Sequence, residues 1–307
     1  MTDSIRDASS RREVTGHMQD VDGSGTESQT ASGGHGFRPP LSDDPPTTPG
    51  NSSPPAIELK SVTKTFILES GEELAAVRDA SLTVARGEFV CVVGPSGHGK
   101  STLLNLIAGF IEPSSGEIFV NGKPVEGPGP DRGVVFQRDT LFLWRRVAAN
   151  ISFGLEARGV PKQERKATVD RYLKTVGLED FAGAWPRQLS GGMRRRVAIA
   201  AVFANEPDVF LMDEPFVGLD YLRRAQLHKV LLDLWEEGGH RAVFMITHDV
   251  DEALALGDRI LVVKEGRIVE DVEVALPRPR STYMITGEEA SIIRRSVVLH
   301  FGDLEIA

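Results

Sequence analysis

The sequence predicts an α/β protein in which a buried parallel sheet is accompanied by an antiparallel β subdomain. Strands covered on both faces show no alternation of apolar and polar residues. Three continuously apolar runs fit that description: 89–93, 209–212 and 242–246. Residues 57–62 and 80–84 alternate instead, which predicts antiparallel strands with one solvated face.

A helical insert interrupts this predicted α/β core. Residues 146–177 show helical patterning, with Pro161 opening one helix at its first turn and Gly177 ending it. The helical pattern resumes over 197–204. We therefore place an inserted helical subdomain at about 145–190.

The two ends of the chain differ from this core. Residues 1–55 contain seven of the 18 prolines and one aromatic residue, on a Ser/Thr/Gly/Asp background without periodicity, which predicts a disordered extension. The folded unit is predicted to span 56–280. A tail of 281–307, helical in part, follows it.

Composition excludes several classes of protein. The 307 residues include 44 acidic and 35 basic side chains, a net charge of −9, with no basic block that could neutralise a row of phosphates, which argues against nucleic acid as a partner. The longest uncharged apolar stretch, 101–111, is far shorter than the roughly 20 residues of a spanning helix. The single cysteine, Cys91, lies inside an apolar run, and this favours an intracellular, reducing compartment.

A phosphate-binding loop is predicted between the first apolar run and a helix over 102–108. Residues 94–102 match G-x-x-x-x-G-K-[ST] in the strand-to-helix context that this motif requires. Backbone N–H groups of such a loop surround phosphate oxygens, Lys100 bridges the β and γ oxygens, and the Ser101 hydroxyl ligates Mg²⁺. His98 occupies a free position of the pattern. The predicted nucleotide-binding residues here are Gly94, Pro95, Ser96, Gly97, His98, Gly99, Lys100, Ser101 and Thr102.

Polar side chains follow three other predicted strands. Asp213 and Glu214 come directly after a buried strand, where open α/β sheets bind ligands. Asp213 is predicted to hold Mg²⁺, and Glu214 to orient or deprotonate an attacking water. His248 follows the third apolar run and is a candidate γ-phosphate contact. Gln137 ends the short strand 133–136, so its amide is a candidate ligand for Mg²⁺ or water.

A fourth motif decides between families. Leu189-Ser190-Gly191-Gly192 precedes a predicted helix, and Gly218-Leu219-Asp220 follows the paired acids. Together with the P-loop, Gln137 and His248, in this order, the set resembles an ATP-binding-cassette ATPase over about 57–269. The resemblance implies a P-loop NTPase core with a mixed sheet, an antiparallel β subdomain and an inserted α-helical subdomain.

The resemblance also implies how ATP is held. Ser190, Gly191 and Gly192 would face the P-loop of a second, identical subunit, so that two ATP molecules, each with Mg²⁺, lie in a head-to-tail dimer. A helix N-terminus with bare N–H groups suits that role, because it attracts an anion. Phe66 would stack on adenine; the alternative for this strand-end aromatic residue is a plain core position.

Two segments outside the ATP site resemble one branch of the family. Residues 138–144 and 275–280 resemble bacterial importers of nitrate, alkanesulfonates and taurine. This implies transmembrane permease subunits, a solute-binding protein, and a peripheral location on the cytoplasmic face of the bacterial inner membrane. Leu143 and Trp144 are candidate contacts to the permease, and core packing is the alternative for Trp144.

A second function class is a soluble cassette ATPase that works on nucleic acid or on complex assembly. The sequence favours the transporter subunit, because it has one cassette, a short helical insert and an acidic balance.

Overall fold

Two β-sheets and a set of helices make up the described part of the chain, which comprises residues 53–137 and 140–301 of this computed structural model. The strands, in chain order, are β1 (Ile57–Ile67), β2 (Glu73–Val84), β3 (Phe89–Val93), β4 (Ser115–Val120), β5 (Lys123–Pro124), β6 (Arg132–Val135), β7 (Val209–Asp213), β8 (Ala242–Ile246), β9 (Arg259–Lys264) and β10 (Arg267–Glu273). The helices are α1 (Lys100–Ala108), α2 (Val147–Ala157), α3 (Lys162–Thr175), α4 (Gly191–Phe203), α5 (Tyr221–Gly238), α6 (Val250–Leu256), α7 (Thr282–Ile285) and α8 (Glu288–Leu299).

The larger sheet has the strand order β10-β9-β3-β8-β7-β6. Five strands run parallel to one another, namely β9, β3, β8, β7 and β6, and β10 is antiparallel to β9. The predicted parallel sheet is therefore present, and it is mixed at one edge. The register pairs Asp213 with Ile246 and Val135 with Met212, so the polar residues that follow β6, β7 and β8 meet at one end of the sheet.

Two hydrophobic cores cover the two faces of this sheet. In β3, Phe89, Cys91 and Val93 belong to the core shared with α2 to α6 and α8. Val90 and Val92 belong to the core formed with α1 and the smaller sheet. The strand is continuously apolar because each face has its own core to fill. Burial also raises the pKa of the Cys91 thiol, as expected of a core position.

The smaller sheet is antiparallel, with the order β2-β1-β4-β5. Its hairpin β1–β2 extends beyond the predicted 57–62 and 80–84, because the register continues from Ile57 opposite Val84 to Ile67 opposite Glu73. Threonines and an aromatic residue in 63–66 favour strand, and this extended arm reaches the phosphate-binding loop.

The helical segment contains α2 and α3, followed by the 3₁₀ helices Glu179–Phe181 and Pro186–Gln188. Pro161 is the residue immediately before α3, and Gly177 follows its end with φ of 64°. Both positions match the prediction, since proline suits a helix start and glycine a left-handed helix end.

The predicted disordered extension falls almost wholly outside the described residues, as do 302–307. The described chain begins in contact with the fold: the Pro54 carbonyl accepts a hydrogen bond from Arg86 Nε at 3.3 Å, and Ala56 is buried. Residues 282–299 form α7 and α8, with Ala290 and Val297 of α8 in the first core. Among the described helices, none combines the length and the apolar character needed to cross a bilayer.

Candidate active site

The phosphate-binding loop joins β3 to α1 through closely packed glycines. Gly94 has φ of 146°, and a Cβ there would lie 2.1 Å from the Val263 carbonyl oxygen. Gly99 has φ of 97°, and its Cβ would lie 2.1 Å from the Ala76 carbonyl oxygen. Only glycine fits these two positions, so β9 and β2 hold the loop in its curved form.

Lys100 projects its ammonium group into the loop. Its Nζ donates to the carbonyl oxygens of Gly94 and Pro95, both at 2.8 Å, and the residue is 7% exposed. Burial lowers the pKa of Lys100, while Glu214 and Asp213 act in the opposite direction. The loop therefore carries a positive charge held close to two carboxylates, a suitable place for a phosphate chain.

Ser101 and Asp213 lie across the sheet edge from each other. The Ser101 hydroxyl donates to Asp213 Oδ1 at 3.3 Å. Burial raises the pKa of Asp213, and the hydrogen bond from Ser101 partly offsets this effect. A hydroxyl and a carboxylate at this separation are oxygen ligands of the kind that Mg²⁺ prefers.

Glu214 is the point where three segments converge. Gln137 Nε2 donates to Glu214 Oε2 at 2.9 Å, and His248 Nδ1 lies 3.6 Å from the same oxygen. The His248 side chain is 60% exposed, so the cluster is open to solvent. The structure thus brings together an amide, a carboxylate and an imidazole from three separate segments, the first two 77 residues apart in the sequence. This combination is able to orient a water molecule.

The Leu189-Ser190-Gly191-Gly192 motif lies at the start of α4. Ser190 caps the helix, its Oγ accepting from the Met193 N–H at 3.3 Å. Gly191 and Gly192 lie in the first turn, and a Cβ on either would meet no atom closer than 3.7 Å. The subunit's own packing therefore does not require glycine at these positions, even though glycine costs about 1 kcal/mol relative to alanine inside a helix.

The remaining predicted nucleotide contacts surround the loop. The backbone of Phe66 pairs with Leu74, two residues before Ala76, and its ring is 37% exposed. His98 Nδ1 accepts from the Glu265 N–H at 3.0 Å, so its imidazole bonds the β9–β10 turn. Ser96 and Gly97 are exposed at the loop tip, Pro95 is partly buried, and Thr102 lies in α1.

Two buried residues near the site, Arg195 and Glu252, belong to none of the sequence motifs. Arg195 of α4 is buried and donates to three backbone carbonyls of the segments that carry Gln137 and Glu214. Buried Glu252 accepts from Thr247 Oγ1 at 2.6 Å, beside His248. Although burial opposes it, the nearby His228, whose Nε2 lies 3.8 Å from Glu252 Oε1, and the hydrogen bond from Thr247 lower the pKa of Glu252. The only sequence feature that indicates a buried Arg195 is helical spacing, because Arg195 lies four residues before the fully buried Ile199.

Comparison with known proteins identifies the family. A model of the ABC transporter family matches residues 77–217. The chain is 48% identical over 226 residues to an uncharacterised ABC transporter ATP-binding protein of Methanocaldococcus jannaschii, covering 73% of this chain and 84% of the relative. The chain belongs to the ABC transporter ATP-binding family. It is an ATPase of the ABC type, and the predicted resemblance is confirmed.

Two further relatives of this ABC ATPase carry more specific names. It is 45% identical over 214 residues to the taurine import ATP-binding protein TauB of Roseobacter denitrificans, covering 69% of this chain and 80% of the relative. It is 44% identical over 228 residues to the nitrate import ATP-binding protein NrtD of Synechocystis, covering 74% and 85%.

Solved ABC cassettes share the fold. A dimeric ATP-binding cassette in a post-hydrolysis state bound to ADP and Pi aligns with a TM-score of 0.65 and 32% identity, over 72% of this chain and all of that chain. The cbiO1 structure from Clostridium perfringens, part of the ABC transporter complex cbiONQ, aligns with a TM-score of 0.66 and 28% identity, over 82% and 96%. These alignments confirm the predicted fold class, a P-loop NTPase core with β and helical subdomains.

Proposed function

We propose that this ABC ATPase energises a membrane importer of nitrate, a sulfonate, taurine or a similar small solute. The names of the 44–45% identical relatives support the import role. The observation that carries it is an exposed apolar surface whose first residues follow Gln137 closely in the sequence, because exposed apolar surfaces of this kind mark sites of interaction with other proteins.

This surface, here called the docking edge, consists of Leu143, Trp144 and Phe153. Leu143 is 54% and Trp144 73% exposed. Phe142 lies beneath them, with its ring centroid 5.4 Å from that of Trp144 and 4.5 Å from that of Phe153. The high exposure of Trp144 argues against the core alternative for this residue.

A groove continues the docking edge into the fold. A cavity of about 350 Å³ lies between β6 and helices α2 and α4. Its wall includes Phe142 and Phe153 on one side and Val134 and Val202 on the other. An apolar helix or loop of a permease fits such a groove.

Hydrolysis at the site follows from the placement of its charges. We propose that backbone N–H groups of 94–102 and the Lys100 ammonium hold the phosphates of ATP. Glu214 accepts a proton or a strong hydrogen bond from the attacking water, with Gln137 orienting that water and His248 contacting the γ-phosphate. Phe66, on the arm that reaches the loop, stacks on adenine.

Magnesium fits the same site. Ser101, Asp213 and Gln137 supply three oxygen donors, and Mg²⁺ commonly takes few protein ligands and completes its shell with waters and substrate phosphates. When bound, the ion would neutralise charge on the β and γ phosphates. No group of three or more His, Cys, Asp or Glu side chains with metal-site geometry occurs within residues 53–137 and 140–301, so a site completed by the nucleotide is the form that suits this chain.

We further propose that two copies of the chain enclose two ATP molecules. The open space around Gly191 and Gly192 suits close approach by a phosphate from outside the subunit. The cavity next to Ser190 is lined by residues of α4, α5 and the loop before α5, and it includes no residue of 94–102. The dimeric form of a structural relative with ADP and Pi supports the same arrangement.

The docking edge gives a test of the transport role. In native host cells, we expect the wild-type chain to sediment with the membrane fraction as a peripheral protein of the cytoplasmic face. The Trp144→Asp variant should shift largely to the cytosolic fraction, because a charge at the centre of the apolar surface opposes burial against a permease. ATP hydrolysis by the purified variant should stay within about twofold of wild type, because Trp144 is exposed and its ring packs on Phe142.

Tyr283→Asp is the matched control, since Tyr283 is 84% exposed and belongs to α7, which packs against α6 and α8. It should remain in the membrane fraction. If Trp144→Asp also remains there, the docking edge is not the permease contact. If the wild-type chain is wholly cytosolic, the importer proposal itself fails.

A further inference from the structure

Arg195 connects α4 to the hydrolytic residues. It lies in the second turn of α4, five residues after the capping Ser190, and is 5% exposed. A buried arginine is unusual, and a guanidinium group keeps its positive charge in proteins. Its burial therefore needs strong hydrogen bonds to be tolerated.

Those hydrogen bonds go to two distant segments of the chain. Nη1 donates to the Phe136 carbonyl at 2.5 Å, directly before Gln137. Nη2 donates to the Glu214 carbonyl at 3.1 Å, and Nε to the Pro215 carbonyl at 2.5 Å. One guanidinium group therefore holds the backbone at Glu214 and directly before Gln137, and the side chains of these two residues are hydrogen-bonded to each other.

The backbone of Glu214 needs such support. Its φ is 45°, in the left-handed region, which is unfavourable for a residue that has a Cβ atom. Its N–H donates to the Ile246 carbonyl at 3.0 Å, and its C=O accepts from Arg195. These hydrogen bonds, together with one from the Val217 N–H to the same C=O at 3.3 Å, hold the conformation that points the carboxylate toward Gln137 and His248.

We propose that Arg195 is a positioning residue for ATP hydrolysis, which holds the Glu214 and Gln137 segments against α4 so that the carboxylate and the amide face the same water. The inference rests on the role of Glu214 proposed above. It also gives α4 a second function: the helix whose N-terminus presents Ser190 is hydrogen-bonded, one turn later, to the hydrolytic segment of its own subunit.

Arg132, the first residue of β6, provides a matched comparison for Arg195. Its side chain is 7% exposed, and it too donates to two backbone carbonyls, those of Ile107 and Gly127. It lies at the opposite end of β6 from Gln137. Loss of either guanidinium removes buried hydrogen bonds, but only Arg195 bonds the segments that carry the hydrolytic residues.

The test compares Arg195→Gln, Arg195→Lys, Arg132→Gln and Glu214→Gln in steady-state ATP hydrolysis by the full chain, with thermal unfolding measured in parallel. For Arg195→Gln we expect kcat to fall by about 10- to 100-fold, part of the 10²–10⁴ that a general base contributes. The KM for ATP should stay within about twofold, because the phosphate-binding loop is untouched. Arg195→Lys should give an intermediate kcat, since one ammonium cannot reproduce the guanidinium fork.

Arg132→Gln should lower the unfolding temperature but leave kcat within about twofold. A wild-type kcat in Arg195→Gln overturns the inference, as does an equal loss of kcat in Arg132→Gln. If Arg195→Gln does not fold, Arg195→Lys decides: an unchanged kcat overturns the inference, and a lowered kcat with unchanged KM supports it. A wild-type rate in Glu214→Gln would instead show that the proposed base is wrong.

Discussion

Replacing Glu214 with glutamine is expected to slow ATP hydrolysis by about 10²–10⁴-fold, the usual contribution of a general base. Glutamine keeps the size and the hydrogen bond from Gln137 but loses the negative charge that accepts a proton. This loss corresponds to about 3–5 kcal/mol of barrier at 1.36 kcal/mol per tenfold. ATP should still bind, because Lys100 and Ser101 remain in place.

Phosphate release at saturating ATP measures the rate, and a calorimetric titration of ATP checks binding. Glu117→Gln is the control, because it makes the same chemical change on an exposed residue of β4. Turnover at the wild-type rate in Glu214→Gln would show that another group activates the water.

Replacing Lys100 with alanine is expected to abolish ATP binding at micromolar nucleotide. The ammonium is the positive side chain within the loop, and its removal leaves the phosphates facing Asp213 and Glu214 without a counter-charge from this residue. Charge-assisted hydrogen bonds of this type contribute about 1.5–3 kcal/mol each, so losing those to two phosphates weakens binding by at least 100-fold.

A calorimetric titration of ATP into each variant tests this expectation. Lys123→Ala, on exposed β5, is the control and should bind as wild type does. An unchanged affinity in Lys100→Ala would remove the phosphate-binding role of residues 94–102.

Much of the site could be predicted from the sequence because its parts are fixed by local rules. The loop glycines are needed where a strand turns directly into a helix, and the structure shows Gly94 and Gly99 packed against backbone oxygens. Parallel strands end at one edge of a sheet, so Asp213 and His248 could be placed together from their positions after apolar runs.

Other features depend on contacts that no local pattern encodes. Arg195 stands in a run of three arginines that by itself suggests a solvated basic surface, and its partners come from segments 19 to 59 residues away. The imidazole of His98 bonds the Glu265 N–H, 167 residues later. Only the assembled sheet brings these groups within hydrogen-bonding distance.

The hairpin β1–β2 shows a third kind of limit. The alternation of apolar and polar residues identified 57–62 and 80–84, but both strands extend beyond these ranges. The additional residues are more exposed, with Ile67 78% and Leu74 50% exposed. Their strand conformation comes from pairing with each other, so a hydrophobicity pattern underestimates their length.

The most direct test of the proposed ATP-bound dimer is to determine the mass of the Glu214→Gln variant by sedimentation velocity, with Mg²⁺ and either ATP or ADP. We predict a dimer with ATP and a monomer with ADP, because the α4 N-terminus of each subunit binds an unhydrolysed γ-phosphate held by the other. Adding Gly192→Glu, at a position where a Cβ would meet no atom of the subunit closer than 3.7 Å, should restore the monomer while ATP still binds, because it sets a carboxylate against that phosphate. A species that stays monomeric with ATP, or a dimer that survives Gly192→Glu, would contradict the account.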